Sequence, residues 1–386
     1  MLLDAYRRTL GLTRRGFHQT KPQEQKPQPV CSLPTELWEV ILDQVLAIPF
    51  LLATDCSPVD FYFFAMAHRA WDAASAQRES YGERWRTLRA VCRRWKAIVD
   101  KQSNTWIRLN SSTSNWGIPP ETKRVDIVLS AASDFRSDTI SRISQTAESA
   151  FGNVQVISVS EYCGPTQDSP ELLPILDTVA RSKAPVNSFI YEGDARLYPT
   201  HFQAITDVFS HLTSLTLHAR GINGTLAIPT LNALWISAST FDISRWDLPS
   251  LRHLALGDPR ETVRSIRYED MNIESSIKDR LLSIMILYPY WFAYTRQFWA
   301  EHSSLQFIGA PNIRNKPNPK MIHDARILCI TGSMVAHKSH PPEGFFLYLP
   351  QFRYLQTLIT PNKDIMRSKV AVLQDVKKYC AANNIT

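Results

Sequence analysis

Ile228-Pro229-Thr230-Leu231-Asn232-Ala233-Leu234-Trp235-Ile236 and Leu248-Pro249-Ser250-Leu251-Arg252-His253-Leu254-Ala255-Leu256 align without a gap at a separation of 20 residues. Leu212, Leu215 and Leu217 set the same L-x-x-L-x-L frame 19 residues before Leu231. A unit of this size cannot enclose its own apolar side, whereas stacked copies share one continuous core. Apolar residues at alternate positions give a strand whose successive side chains point to opposite faces. The leucines therefore point inward. The residues between them, Thr216, His218, Trp235, Ser237 and Ala255, are expected on an open face.

The period lies near the lower edge of leucine-rich repeats. Weaker copies of the frame fall at Val154/Ile157/Val159, Val186/Phe189/Tyr191, Ala325/Leu328/Ile330 and His302/Leu305/Phe307. The array departs from well-formed repeats, because Arg220 and Ser239 stand where a ladder asparagine would follow the frame. Short strands of an ordinary α+β domain are the competing reading.

Upstream, the chain changes character twice. Arg7, Arg8, Arg14, Arg15, Lys21 and Lys26 face only Asp4 and Glu24, and the leader ends in Lys21-Pro22-Gln23-Glu24-Gln25-Lys26-Pro27-Gln28-Pro29. Alternating prolines and polar residues form a linker rather than a core. The basic leader reads as a solvated tail, with a faint likeness to a mitochondrial presequence. Ser32-Leu33-Pro34-Thr35-Glu36 carries helix-start signals, and Leu37, Ile41, Leu42 and Val45 follow at helical spacing until Pro49. Val59 to Asn104 lacks proline, and Trp71, Ala74, Arg78, Tyr81, Trp85, Leu88, Cys92 and Trp95 advance by threes and fours. This predicts one long helix, with Gly82 as its weakest point.

Two segments on these helices carry a family resemblance. Leu33-Pro34-Thr35-Glu36-Leu37-Trp38-Glu39-Val40-Ile41-Leu42 is the first. Leu88-Arg89-Ala90-Val91-Cys92-Arg93-Arg94-Trp95-Lys96-Ala97-Ile98-Val99, followed by Trp106-Ile107-Arg108-Leu109, is the second. Together they resemble the two halves of an F-box, the small helical module that docks on the adaptor subunit of SCF-type cullin ubiquitin ligases. The halves are usually close together, and here residues 49–87 intervene. The resemblance implies a substrate receptor that performs no chemistry itself. Its adaptor contacts would come from Leu33, Pro34, Glu36, Leu37, Ile41, Leu42, Val91, Cys92 and Trp95, and an unknown protein client would bind the C-terminal repeats. The alternative is a scaffold protein, outside any ligase, whose F-box-like helices pack internally or self-associate.

The expected architecture is α+β. A basic leader (1–30) precedes an F-box-like helical domain (31–110) and an irregular leucine-rich-repeat-like α/β solenoid (111–386). With 44% hydrophobic and 20% charged residues, the chain can build a sizeable core. Its net charge of +7 finds no accompanying nucleic-acid-binding motif. The basic Asn312–Lys320 loop reads as a surface excursion. None of the six cysteines forms a C-x-x-C pair, so no metal site is expected, and a reducing cytoplasmic or nuclear setting fits. Phosphate-binding glycine loops, H-E-x-x-H and G-x-S-x-G are missing, and neither a cofactor nor a catalytic residue is expected. His337 and His340 beside Ser333 and Ser339 have no acidic partner in frame. The most apolar run, Leu281 to Tyr294, is too short for a bilayer and is expected to be a buried helix or helix-turn.

Overall fold

The computed structural model describes residues 33–46, 57–67, 73–101, 105–110, 113, 117–129, 133–145, 151–161, 171–238, 240–241, 245–257, 280–286, 304–310, 324–330, 349, 352–359 and 371–386. The leader, the Asn312–Lys320 loop, His337 and His340 lie outside them. The chain divides into two compact units, Met1–Val45 and Leu46–Thr386, with the boundary between the two motif halves. The described part of the first unit is one helix, α1 (Thr35–Val45).

The second unit is mixed helix and sheet. Helices α2 (Pro58–Ala67), α3 (Ala73–Arg89) and α4 (Arg93–Asp100) precede the first strand. Among the described residues, an eleven-stranded parallel sheet follows. Its strands are β1 (Trp106–Leu109), β2 (Arg124–Leu129), β3 (Val156–Glu161), β4 (Ser188–Gly193), β6 (Ser214–Ala219), β8 (Ala233–Ala238), β9 (His253–Gly257), β10 (Ser283–Ile286), β11 (Phe307–Ala310), β12 (Ile327–Ile330) and β13 (Thr357–Ile359), in chain order. Two short strands, β5 (Arg196–Leu197) and β7 (Gly221–Ile222), pair separately. Helices α5 (Ser133–Ser144), α6 (Leu172–Ser182) and α7 (Pro199–Val208) fall between the early strands, and α8 (Ala371–Ala382) follows the last.

The quoted stretches show how each strand is launched. Pro229 and Pro249 occupy the second position of turns closed by Leu231 N–H to Ile228 C=O and Leu251 N–H to Leu248 C=O. Two successive amides then bind one carbonyl of the preceding strand's lead-in. Asn232 and Ala233 donate to Thr213, Arg252 and His253 to Asn232, and Leu282 and Ser283 to Arg252. This repeated joint holds Leu215, Leu234, Leu254 and Ile284 in one register row. They form a core with Ile143 of α5, Ile175 and Val179 of α6, and Phe202 and Ile205 of α7.

Three sequence expectations change. The long helix is three helices: Gly82 lies inside α3, and the break comes at Ala90–Cys92, where Cys92 turns extended and caps α4. Ser283–Ile286 is a strand rather than part of a buried helix. The frame proposed at His302/Leu305/Phe307 is displaced, because Leu305 and Ile308 enter the main core while Phe307 points to the opposite face.

That opposite face is also covered. Phe61 and Tyr62 of α2 cluster with Trp235, Ala255, Met285, Phe307 and Cys329. The ring of Phe61 stands 5.3 Å from that of His253, and the ring of Tyr62 stands 5.8 Å from that of Phe307. A parallel sheet buried on both faces is the usual arrangement, since each face then escapes water. Here the segment inserted between the motif halves supplies part of the cover.

Candidate functional site

In the first unit, Leu37, Val40 and Ile41 lie at helical positions i, i+3 and i+4 on α1 and are 47%, 55% and 39% exposed. Leu42 is buried, at 1% exposure, so it does not share that surface. Pro34 and Glu36 are exposed and Leu33 is half-buried, around the helix start. Val40 went unnoticed in the sequence, although the same spacing placed it between Leu37 and Ile41.

In the second unit, α3 and α4 form a braced pair. The Trp85 indole N–H donates to Val99 C=O at 3.3 Å, Arg89 pairs with Asp100, and the Arg89 guanidinium lies 4.5 Å from the Trp85 ring centre. The turn between them leaves Val91 55% exposed, and Cys92 is exposed as well. Cys92 Sγ accepts from Trp95 N–H at 3.5 Å, and Trp95 is half-buried. Trp106 and Leu109, the end of the motif, belong to β1. Trp106 donates to Asp126 at 2.8 Å, meets the Tyr81 ring at a tilt with centres 5.1 Å apart, and carries the Arg124 guanidinium 4.3 Å from its ring centre.

On the sheet, alternation places Thr216 beside Trp235 and His218 beside Ser237 on the face opposite the leucines, as the sequence implied. The expectation that these four and Ala255 stand open on the surface is corrected, since none is more than 3% exposed. Burial holds the His218 imidazole neutral, its pKa lowered to about 3. The two nitrogens of His218, Thr216 Oγ1 and Trp235 Nε1 are buried without a hydrogen-bond partner. So are the hydroxyls of Ser158, Ser188 and Ser214 on the neighbouring strands, which the sequence did not single out. One such group costs about 1–3 kcal/mol when left unmet, so seven atoms on one face form a concentrated polar demand.

A separate groove of about 980 Å³ opens at the edge where the strands begin. His211, Arg252, His253 and Arg280 contribute its basic groups, Thr213 and Asn232 line it as well, and none of the described residues lining it is acidic.

Among the described residues, no group of three or more His, Cys, Asp or Glu side chains is placed to hold a metal ion, and no helix is long and apolar enough to cross a membrane. The chain matches no protein-family model and no curated protein sequence.

Proposed function

We propose that this chain is the substrate-recognition subunit of an SCF-type ubiquitin ligase, built as an F-box joined to a divergent leucine-rich-repeat array. The observation that carries the reading is the apolar stripe of Leu37, Val40 and Ile41 on α1. Large hydrophobic side chains held in water on a short amphipathic helix suit a partner groove. Each contributes about 1.5–3 kcal/mol when buried, so a few anchors sustain a tight interface. Val91 is the exposed apolar residue of the second half, and Leu33, Pro34 and Glu36 would flank the stripe. Ubiquitin transfer would belong to the other subunits of the ligase.

The client site moves away from Thr216, His218, Trp235 and Ser237, whose burial denies them to a protein surface. The groove at the strand starts suits an extended acidic segment of the client, because the described residues lining it include His211, Arg252 and Arg280 and no carboxylate.

Copurification of the cullin ligase adaptor with the intact chain tests the proposal. Wild-type protein should retain the adaptor, and Leu37→Asp with Ile41→Asp should lose it while keeping its helical circular dichroism. Retention by the double variant, or no retention by the wild type, would overturn the reading. The scaffold alternative draws on the same stripe as a self-association surface. It predicts a dimer in sedimentation analysis that the double variant dissolves.

A further inference from the structure

We propose that the buried polar tract formed by Ser158, Ser188, Ser214, Thr216, His218 and Trp235 is a binding site for a neutral, hydroxyl-rich ring compound such as a pyranose sugar or a cyclitol. The inference does not rest on the ligase reading. It begins from placement. Ser188 and Ser214 are register partners, as are Ser158 with Ile190, Ile190 with Thr216, and Thr216 with Trp235. His218 follows two residues after Thr216 on the same face, between Glu192 and Ser237. The tract crosses β3, β4, β6 and β8, about 14 Å at the usual strand spacing.

Each of the six residues is no more than 1% exposed, and each carries at least one buried polar atom that no hydrogen bond meets. Buried polar side chains are ordinarily paired, and these six exceptions lie on adjacent strands of one face. Their chemistry narrows the occupant. Four hydroxyls both donate and accept, a neutral imidazole offers one donor and one acceptor, and an indole offers a donor. None of the six brings a full charge, and Asp126, the register partner of Ser158, is already paired with Arg124, so an ion finds no counter-ion among them. The rings of His218 and Trp235, 5.4 Å apart, and the side chain of Ile190 supply apolar surface amid the hydroxyls. Ring polyols present that pairing, with hydroxyls around the rim and C–H groups on the faces.

Calorimetric titration of the intact chain with myo-inositol, glucose and N-acetylglucosamine, with glycerol as the acyclic control, tests the site. At least one ring compound should bind, and glycerol should not. Thr216→Val keeps the side-chain shape and removes the hydroxyl, and Trp235→Phe keeps a ring and removes the donor. Each should weaken binding about tenfold, the loss expected for one hydrogen bond to a ligand. Without ligand, Thr216→Val should melt no lower than wild type, because it deletes an unmet buried group. Two results would overturn the site. One is no binding of any ring compound up to about 10 mM. The other is a Thr216→Val protein that melts lower yet binds unchanged, which marks the hydroxyls as partners of internal water. Should either variant fail to fold, Ser188→Ala offers a smaller change with the same two readouts. Adaptor copurification by these variants should match wild type, which separates this site from the docking stripe.

Discussion

Phe61 and His253 lie almost two hundred residues apart in the chain, yet their rings meet at 5.3 Å on the face of the sheet opposite the leucine core. This contact gives the segment between the motif halves a structural duty. It is a cover for strands β8 to β12, with Tyr62 reaching Phe307 alongside.

Phe61→Ala should therefore behave as a core substitution. Phe61 is fully buried, and truncating a buried phenylalanine costs about 3–5 kcal/mol. Urea denaturation followed by tryptophan fluorescence measures the change. A loss below about 1 kcal/mol, the range of surface substitutions, would show that α2 merely lies over the sheet.

Leu37→Asp with Ile41→Asp should leave stability nearly unchanged while removing the adaptor. The two side chains are 47% and 39% exposed, and surface substitutions usually shift stability by no more than about 0.5 kcal/mol each. The same denaturation measurement, set beside copurification, separates a binding defect from a folding defect.

Gly224→Ala should destabilise the second unit by about 1–3 kcal/mol, the range for overpacking. A Cβ at this position would collide with the Phe202 ring. That ring cannot retreat freely, because it packs 5.5 Å from Trp246, whose indole N–H donates to Gly224 C=O at 2.8 Å. The variant's thermal midpoint should rise again when Phe202 is also shortened to Leu.

Two buried groups give stability opposite dependences on pH. His218 has a folded pKa near 3 against an ordinary 6.5. The unfolded chain takes up its proton first, so stability is complete above about pH 6.5 and falls as pH drops toward 3. At pH 5 the loss from this group is on the order of 2 kcal/mol. Cys329 is pushed up to about 12 from 9.0 by burial, so above pH 9 the unfolded thiol ionises first and stability declines. Denaturation midpoints across pH 5–8 for His218→Gln should lose the acid slope attributable to this site. An unaltered slope would assign acid sensitivity elsewhere.

The repeating strand was legible because leucine identity and a fixed spacing coincide at Leu212–Leu256, and a two-residue alternation forces every side chain onto a known face. Where leucine gave way to mixed apolar residues, as at His302/Leu305/Phe307, the frame could be read three residues out of place. Both Leu305 and Phe307 are buried, on opposite faces. The helix break at Cys92 escaped notice because a cysteine is an uncommon cap, and its thiol role depends on an extended backbone that composition does not display. The open face at Thr216 and Trp235 was misjudged for a longer-range reason. Local alternation tells which way a side chain points, and what then covers it comes from residues far away, as Phe61 and Tyr62 do at Trp235. The exposed apolar stripe on α1 was partly readable: Leu37 and Ile41 stand out at helical spacing, Val40 shares their face, and Leu42 turns inward.

The chain order of the sheet has a consequence for synthesis. Each strand docks beside the one made just before it, so the sheet can settle progressively as the polypeptide leaves the ribosome. The covering helix breaks that sequence. Phe61 and Tyr62 emerge early, but Phe307 follows about 250 residues later, about 10–50 seconds at ordinary elongation rates. During that interval two adjacent aromatic side chains wait in water for a seat that has not been translated. A nascent-chain holdase acting on this stretch would find its target there.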